Sequence, residues 1–159
     1  MVNIIGTTNS FLISQMNGLQ VILSGQNPIE RPVNTPYIDA GYTLSGGVGI
    51  IDITGSVNTD VVGNNYVFFT PIDTNGSAGI TTIRNVQVVD TIPPTLTLNE
   101  GLIIREIGNK FLDHSYTLSD NYWGVSNISV EKTGNLNTGA LGTYKVLYTP
   151  VDKSGNRGV

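Results

Sequence analysis

The sequence predicts an all-β chain of two small β-sandwiches in tandem, preceded by an N-terminal strand or arm. Three observations lead there. The stretch YVFFTPIDTNGSAG (66–79) returns as KVLYTPVDKSGNRG (145–158). Short runs of β-branched and aromatic residues alternate with clusters of Gly, Asn, Asp and Pro, the pattern of strands and turns. Nowhere does a window of about 11 residues carry an apolar stripe at helical period.

A length of 159 residues suffices for one ordinary domain or two small ones. With 39% hydrophobic and only 13% charged residues, the chain has the balance of a folded protein. The net charge is -4 with 8 Lys+Arg in all, too few for a basic patch, so nucleic-acid binding is not expected. The absence of cysteine excludes disulfides, zinc thiolate sites and cysteine nucleophiles. No apolar run reaches the length of a membrane span, and membrane insertion is not expected. The opening MVNIIGTTNSFLISQMNG lacks a basic stretch followed by a continuous apolar core, so it does not read as a secretory signal.

The repeat sets the domain plan. YIDAGYTLS (37–45) aligns with FLDHSYTLS (111–119) at an offset of 74, matching Asp39 to Asp113. Residues 57–79 align with 136–158 at an offset of 79, and Asn58, Thr59, Gly63, Val67, Thr70, Pro71, Asp73, Gly76 and Gly79 all recur. The change of offset places a five-residue insertion in the second copy, around DNYWGVSNISVEK (120–132). Between the copies, VVDTIPPTLTLNEG (88–101) holds Pro93 and Pro94, which fix φ and remove two donors, so it reads as a short stiff linker. The plan is an arm at 1–17, a first domain at 18–91 and a second at 92–159.

The strands follow in order. LQVILSG (19–25) and TLTLNEG (95–101) are β-rich runs closed by Gly; GIIDITG (49–55) and SNISVEKTG (126–134) place β-branched residues at period 2. YVFFT and KVLYT are short and bulky, and ITTIRNVQVVD (80–90) is the closing strand of the first copy, beside YVFFT. Short strands in units of about 75 residues point to small sandwiches.

PYIDAGYTLS followed by GSVNTDVVGNNYVFFTPIDTNGSAG resembles the bacterial immunoglobulin-like repeats of modular surface proteins, and GTYKVLYTPVDKSGN (142–156) is similar to the same pattern. The resemblance spans 19–159 and implies two tandem Ig-like β-sandwiches. Tyr66 sits one position later relative to Gly63 than Tyr144 does to Gly142. A one-residue slip exchanges the faces of a strand, so no tyrosine-corner role falls on Tyr66. The fold hosts many functions and names none.

Candidate sites are few. Asp73 and Asp152 are calcium candidates, because DTNG and DKSG resemble fragments of a cation loop, and Asp39 and Asp113 join them as acids that could meet these turns in space. Calcium asks for six or more oxygens, and a lone Asp followed by turn residues fits a turn better; otherwise no cofactor is expected. His114 is the single histidine; it lacks the partners that acid–base or nucleophilic catalysis requires and reads as a surface or strand-end residue. Tyr122 and Trp123 lie in the insertion and either contact a glycan or protein partner or fold over the core, the packing reading being favoured. No phosphate loop, paired acids or ligand cluster is found, so the chain is not expected to be an enzyme.

The second copy reaches Val159 where its closing strand would begin, while IIGTTNSFLIS (4–14) precedes LQVILSG much as ITTIRNVQVVD precedes TLTLNEG. Two explanations stay open. The sequence is a piece of a longer chain, or the N-terminal strand of one subunit completes the second domain of the next by β-augmentation. Residues Ile4, Ile5, Phe11, Leu12 and Ile13 would supply the apolar contacts of such a strand, or of an arm docked onto a larger assembly. The reading that results is an oligomeric structural module on a virion (a spike, fibre or capsid decoration), with other virion subunits and a host-surface glycan or protein as partners. The runner-up is a stalk module of an adhesin or pilus-like filament on a bacterial cell surface.

Overall fold

The computed structural model describes residues 18–113 and 115–159. The N-terminal candidates Ile4, Ile5, Phe11, Leu12 and Ile13, and also His114, lie outside the described residues. The chain divides into two compact units, Met1–Val89 and Asp90–Val159. Regular structure among the described residues is β throughout, apart from one short 3-10 turn at Val125–Asn127. No helix there is long and apolar enough to cross a membrane.

The first unit is built from β1 (Gln20–Leu23), β2 (Ile29–Pro32), β3 (Tyr42–Ser45), β4 (Gly49–Gly55), β5 (Gly63–Asp73) and β6 (Thr82–Val89). One layer is a four-stranded sheet in the order β2-β6-β5-β4, and the other is the antiparallel pair β1-β3. β2 runs parallel to β6, while β5 runs antiparallel to both of its neighbours, β4 and β6. β5 is longer than the YVFFT run because it serves two neighbours. Its first half, Gly63–Phe69, pairs with β6, and its second half, Val67–Asp73, pairs with β4.

The side chains that meet between the layers follow from period 2. On β5, Val67, Phe69 and Pro71 are buried, and the residues between them are more exposed. On β6 the buried positions are Arg84, Val86 and Val88. Val21 of β1 joins Val67 and Phe69 in the core, with Leu23, Leu44, Ile51 and Val57 packed around them. Tyr42 leans on Phe69 with ring centroids 5.3 Å apart. Tyr66 points the other way and is exposed, as the one-residue slip requires, whereas the Tyr144 hydroxyl donates to the Ala140 carbonyl at 3.2 Å.

The second unit contains β7 (Thr95–Leu98), β8 (Tyr116–Ser119), β9 (Ser129–Gly134) and β10 (Val146–Val151). They form two antiparallel pairs, β7-β8 and β9-β10. The repeat is visible in the pairing. β7-β8 reproduces β1-β3, and β9-β10 reproduces β4-β5 over matching residues: Ile53 faces Phe69, and Lys132 faces Tyr148. Gly55 and Gly134 end the corresponding strands at φ +86 and +141. A Cβ there would meet a carbonyl oxygen of the neighbouring strand at 2.3 or 2.4 Å, so both the backbone shape and the close approach select glycine.

The stretch expected to be a linker is partly strand. Val88 and Val89 belong to β6, Thr95–Leu98 to β7, and Pro94 is fully buried. The physical reason is that Val86 and Val88 continue the inward face of β6, which carries the strand to Val89, while β7 begins directly after Pro94.

Candidate functional site

The most elaborate polar arrangement of the first unit centres on Asp39 and Arg84. Arg84 is only 1% exposed, yet all its donors are used. Nε and Nη2 reach the two oxygens of Asp39 at 3.2 and 3.1 Å; Nη2 also reaches the Gly41 carbonyl at 3.0 Å. Nη1 donates to the carbonyls of Ser24 and Gln26 at 2.7 and 3.1 Å. Asp39 also accepts the Tyr37 hydroxyl at 2.6 Å and the Gly41 amide at 2.7 Å. One guanidinium thus ties β6 to the ends of β1 and to the segment entering β3. Burial alone would raise the Asp39 carboxyl, but the Tyr37 hydroxyl, the Arg84 guanidinium and the Gly41 amide together hold it below its ordinary value. Burial and the Asp39 carboxylate push the Tyr37 phenol up to about 12. The arrangement is structural: every N–H of the Arg84 guanidinium and both carboxylate oxygens of Asp39 are engaged within the protein.

The second unit solves the same problem differently. Asp113 takes its hydroxyl from Tyr148 of β10 and its cation from Lys132 of β9. Phe111 stands at the position of Tyr37, and Tyr148 at the position of Phe69. The hydroxyl has moved from the acid's own segment to the facing strand. Tyr37→Phe should therefore destabilise the first unit by about 1.5–3 kcal/mol, the range for a hydrogen bond to a charged group. Adding Phe69→Tyr should restore part of that loss, measured by urea unfolding. A double variant no more stable than Tyr37→Phe alone would show that the two positions do not exchange this role.

The two expected turns diverge. Asp73 Oδ1 accepts the amides of Asn75 and Ser77, each at 2.8 Å, and so closes its own turn. Asp152 closes its turn through the Asn156 amide at 2.9 Å, but it also meets two acids that sequence reasoning did not select. Asp90, Asp120 and Asp152 each bring a carboxylate oxygen within 4.8 Å of the others. Asp39, Asp73 and Asp113 belong to no such group among the described residues. In the sequence, Asp90 falls in the proline-containing segment and Asp120 at the start of the insertion. Neither segment carried a ligand spacing, because the three acids are joined only by the fold.

Tyr122 and Trp123 are both half-buried and stack edge to face with centroids 4.8 Å apart. Trp123 Nε1 donates to Ser154 Oγ at 2.8 Å, and the Lys153 ammonium lies 5.3 Å from its ring centroid. The pair is thus fastened to the turn after β10.

A cleft of about 360 Å³ opens beside β10, lined among others by Leu98, Ile104, Ile107, Phe111, Leu136 and Tyr148. Among the described residues β9 is the only strand paired with β10, apart from an isolated bridge of Val151 to Arg157, whereas β5, its counterpart, pairs with a strand on each side.

With this geometry in hand, residues 95–159 match the family model described as "Bacterial surface protein, Ig-like domain". The matched residues are similar to a bacterial surface Ig-like domain. The matched segment starts at the first residue of β7 and contains the cleft and two of the three converging acids. Over 120 residues the chain is 33% identical to an uncharacterised 81.3 kDa protein of Acholeplasma phage L2, covering 72% of this chain and 16% of that protein. The chain therefore spans about a sixth of the length of that phage relative. A lipoprotein of Bacteroides thetaiotaomicron, solved by crystallography, is similar with a TM-score of 0.40 and 22% identity, over 51% of this chain and 46% of that one.

Proposed function

We propose that this chain is a non-enzymatic display segment of a virion, a spike, fibre or capsid decoration that carries Ig-like sandwiches outward for attachment to a host surface. The observation that carries the reading is the phage relative. The similarity runs over 120 residues, longer than either compact unit, so it extends beyond a single Ig-like domain. The Ig-like family adds a surface setting. The saturated polar cluster around Arg84 suits a rigid scaffold, since it leaves no group free for chemistry. Partners in this reading are neighbouring virion proteins and a glycan or protein of the host surface.

Particles purified on a density gradient should contain peptides of this chain, and antibody to the folded chain should label their exterior and slow adsorption to the host. Absence of the chain from purified particles would refute the reading.

A second reading is a stalk module on a bacterial surface, favoured by the family's own description. In that setting the edge of β10 away from β9, beyond its bridge to Arg157, takes a strand from a neighbouring copy by β-augmentation, giving a filament. Antibody labelling of the envelope of uninfected cells, with mass growing with concentration, would select it over the virion.

A further inference from the structure

We propose that Asp90, Asp120 and Asp152 form a calcium-binding site in the second unit. The three acids come from three separate segments. Asp90 follows β6, Asp120 follows β8 and Asp152 follows β10. Each uses one carboxylate oxygen to fix local backbone. Asp90 Oδ1 accepts the Ile92 amide at 3.2 Å. Asp120 Oδ1 accepts the amides of Tyr122 and Trp123 at 2.9 and 2.7 Å. Asp152 Oδ1 accepts the Asn156 amide at 2.9 Å, and its Oδ2 the Asn156 side-chain amide at 2.8 Å. Asn156 also reaches back to the Asp90 carbonyl at 3.1 Å. The backbone thus holds the carboxylates in place and turns them toward one another.

What is left over points to a cation. Asp90 is 5% exposed and Asp152 is 6% exposed, and buried carboxylates are normally paired. Yet Oδ2 of Asp90 and Oδ2 of Asp120 are buried with no hydrogen-bond partner. No lysine or arginine forms an ion pair with any of the three among the described residues. Three like charges within 4.8 Å repel strongly at low dielectric, and a bound dication converts that repulsion into attraction. The spacing fits: oxygens about 2.4 Å from one calcium ion lie at most about 4.8 Å apart. An all-oxygen donor set selects a hard cation, and calcium completes its shell with carbonyl oxygens or water.

The first unit supplies an internal comparison. Its counterpart of Asp120 is Gly46, in YTLSG against YTLSD. Asp73, the counterpart of Asp152, closes its own turn and joins no acid cluster among the described residues. The site is therefore a property of the second copy and not of the shared turn. Occupied, it would clamp the start of β7, the exit of β8 and the turn after β10, and through the Trp123 amide it would also hold the aromatic pair.

The test is calcium-linked stability of the full chain. After EDTA treatment, calcium chloride up to about 10 mM should raise the unfolding midpoint by several degrees, with a dissociation constant on the order of 10⁻⁴ to 10⁻³ M, as for extracellular modules. Terbium at the same site should luminesce by transfer from Trp123 and be displaced by calcium. Asp120→Asn and Asp152→Asn should each lose the shift and the luminescence, while Asp73→Asn keeps both. The proposal fails if calcium moves neither signal in the wild type, if sodium chloride at matched ionic strength gives the same shift, or if Asp120→Asn responds like the wild type. The terbium signal of the wild type decides the matter even where a variant does not fold.

Discussion

Arg84→Met should destabilise the first unit by about 3–5 kcal/mol, the cost of breaking a buried ion pair from one side. Arg84 is 1% exposed and gives one hydrogen bond from every N–H of its guanidinium. Methionine fills much of the same volume, so the packing loss is small. What it leaves behind is the Asp39 carboxylate and the carbonyls of Ser24, Gln26 and Gly41 without their donors. A second change, Asp39→Leu, removes the stranded charge and should recover part of the loss, because an apolar replacement of both partners is often tolerated. Urea unfolding gives the total, and hydrogen exchange at the amides of β1, β5 and β6 locates it. If Arg84→Met stays within about 1 kcal/mol of the wild type, the guanidinium is not what joins these strands.

The same cluster sets a pH dependence on both sides. Asp39 has a carboxyl held below its ordinary value of 3.8, so the folded state binds its proton less readily than the unfolded chain. Its contribution is fully present above about pH 4 and is lost as pH falls through the lower, folded value. Tyr37 is the opposite case: raised to about 12, it contributes below pH 10 and loses that contribution as pH climbs toward 12. Arg84→Met should flatten the acid limb of the stability profile, and Tyr37→Phe the alkaline limb.

Much of the fold was legible because β4, β5 and β6 are long enough to display alternation. β4 has the bounds of the GIIDITG run. β2 was not legible: its four residues, Ile29–Pro32, include a charged pair and a proline, which give no strand pattern and are tolerated because this strand lies at a sheet edge. β3 and β8 stood out as the repeated YTLS, but four residues carry too little pattern to declare a strand. Arg84 was overlooked although its signal was present. It lies in phase with Val86 and Val88, so a charged side chain was being sent inward, and an inward charge implies a buried partner. Asp152 was visible as a turn residue. Asp90 and Asp120 were not, since nothing in their own segments brings three acids to one point; the closure of two strand pairs does.

Phe69→Ala should cost the first unit about 3–5 kcal/mol, whereas Phe68→Ala, one residue away, should cost under about 2 kcal/mol. The contrast isolates the period-2 face from the composition of the strand. Phe69 is 2% exposed and fills the space between Val21 and Val67, with Tyr42 against its ring. Truncating it leaves a cavity bounded by both layers, and close-packed interiors relax only partly into such a space. Phe68 is 37% exposed on the outer face, where water replaces the lost ring and only pairing with Ile83 and Thr54 across the strands is weakened. Thermal unfolding of the two variants beside the wild type measures the difference. Equal losses would mean that the outer face of β5 is also covered in the folded protein, and would direct attention to a partner lying on it.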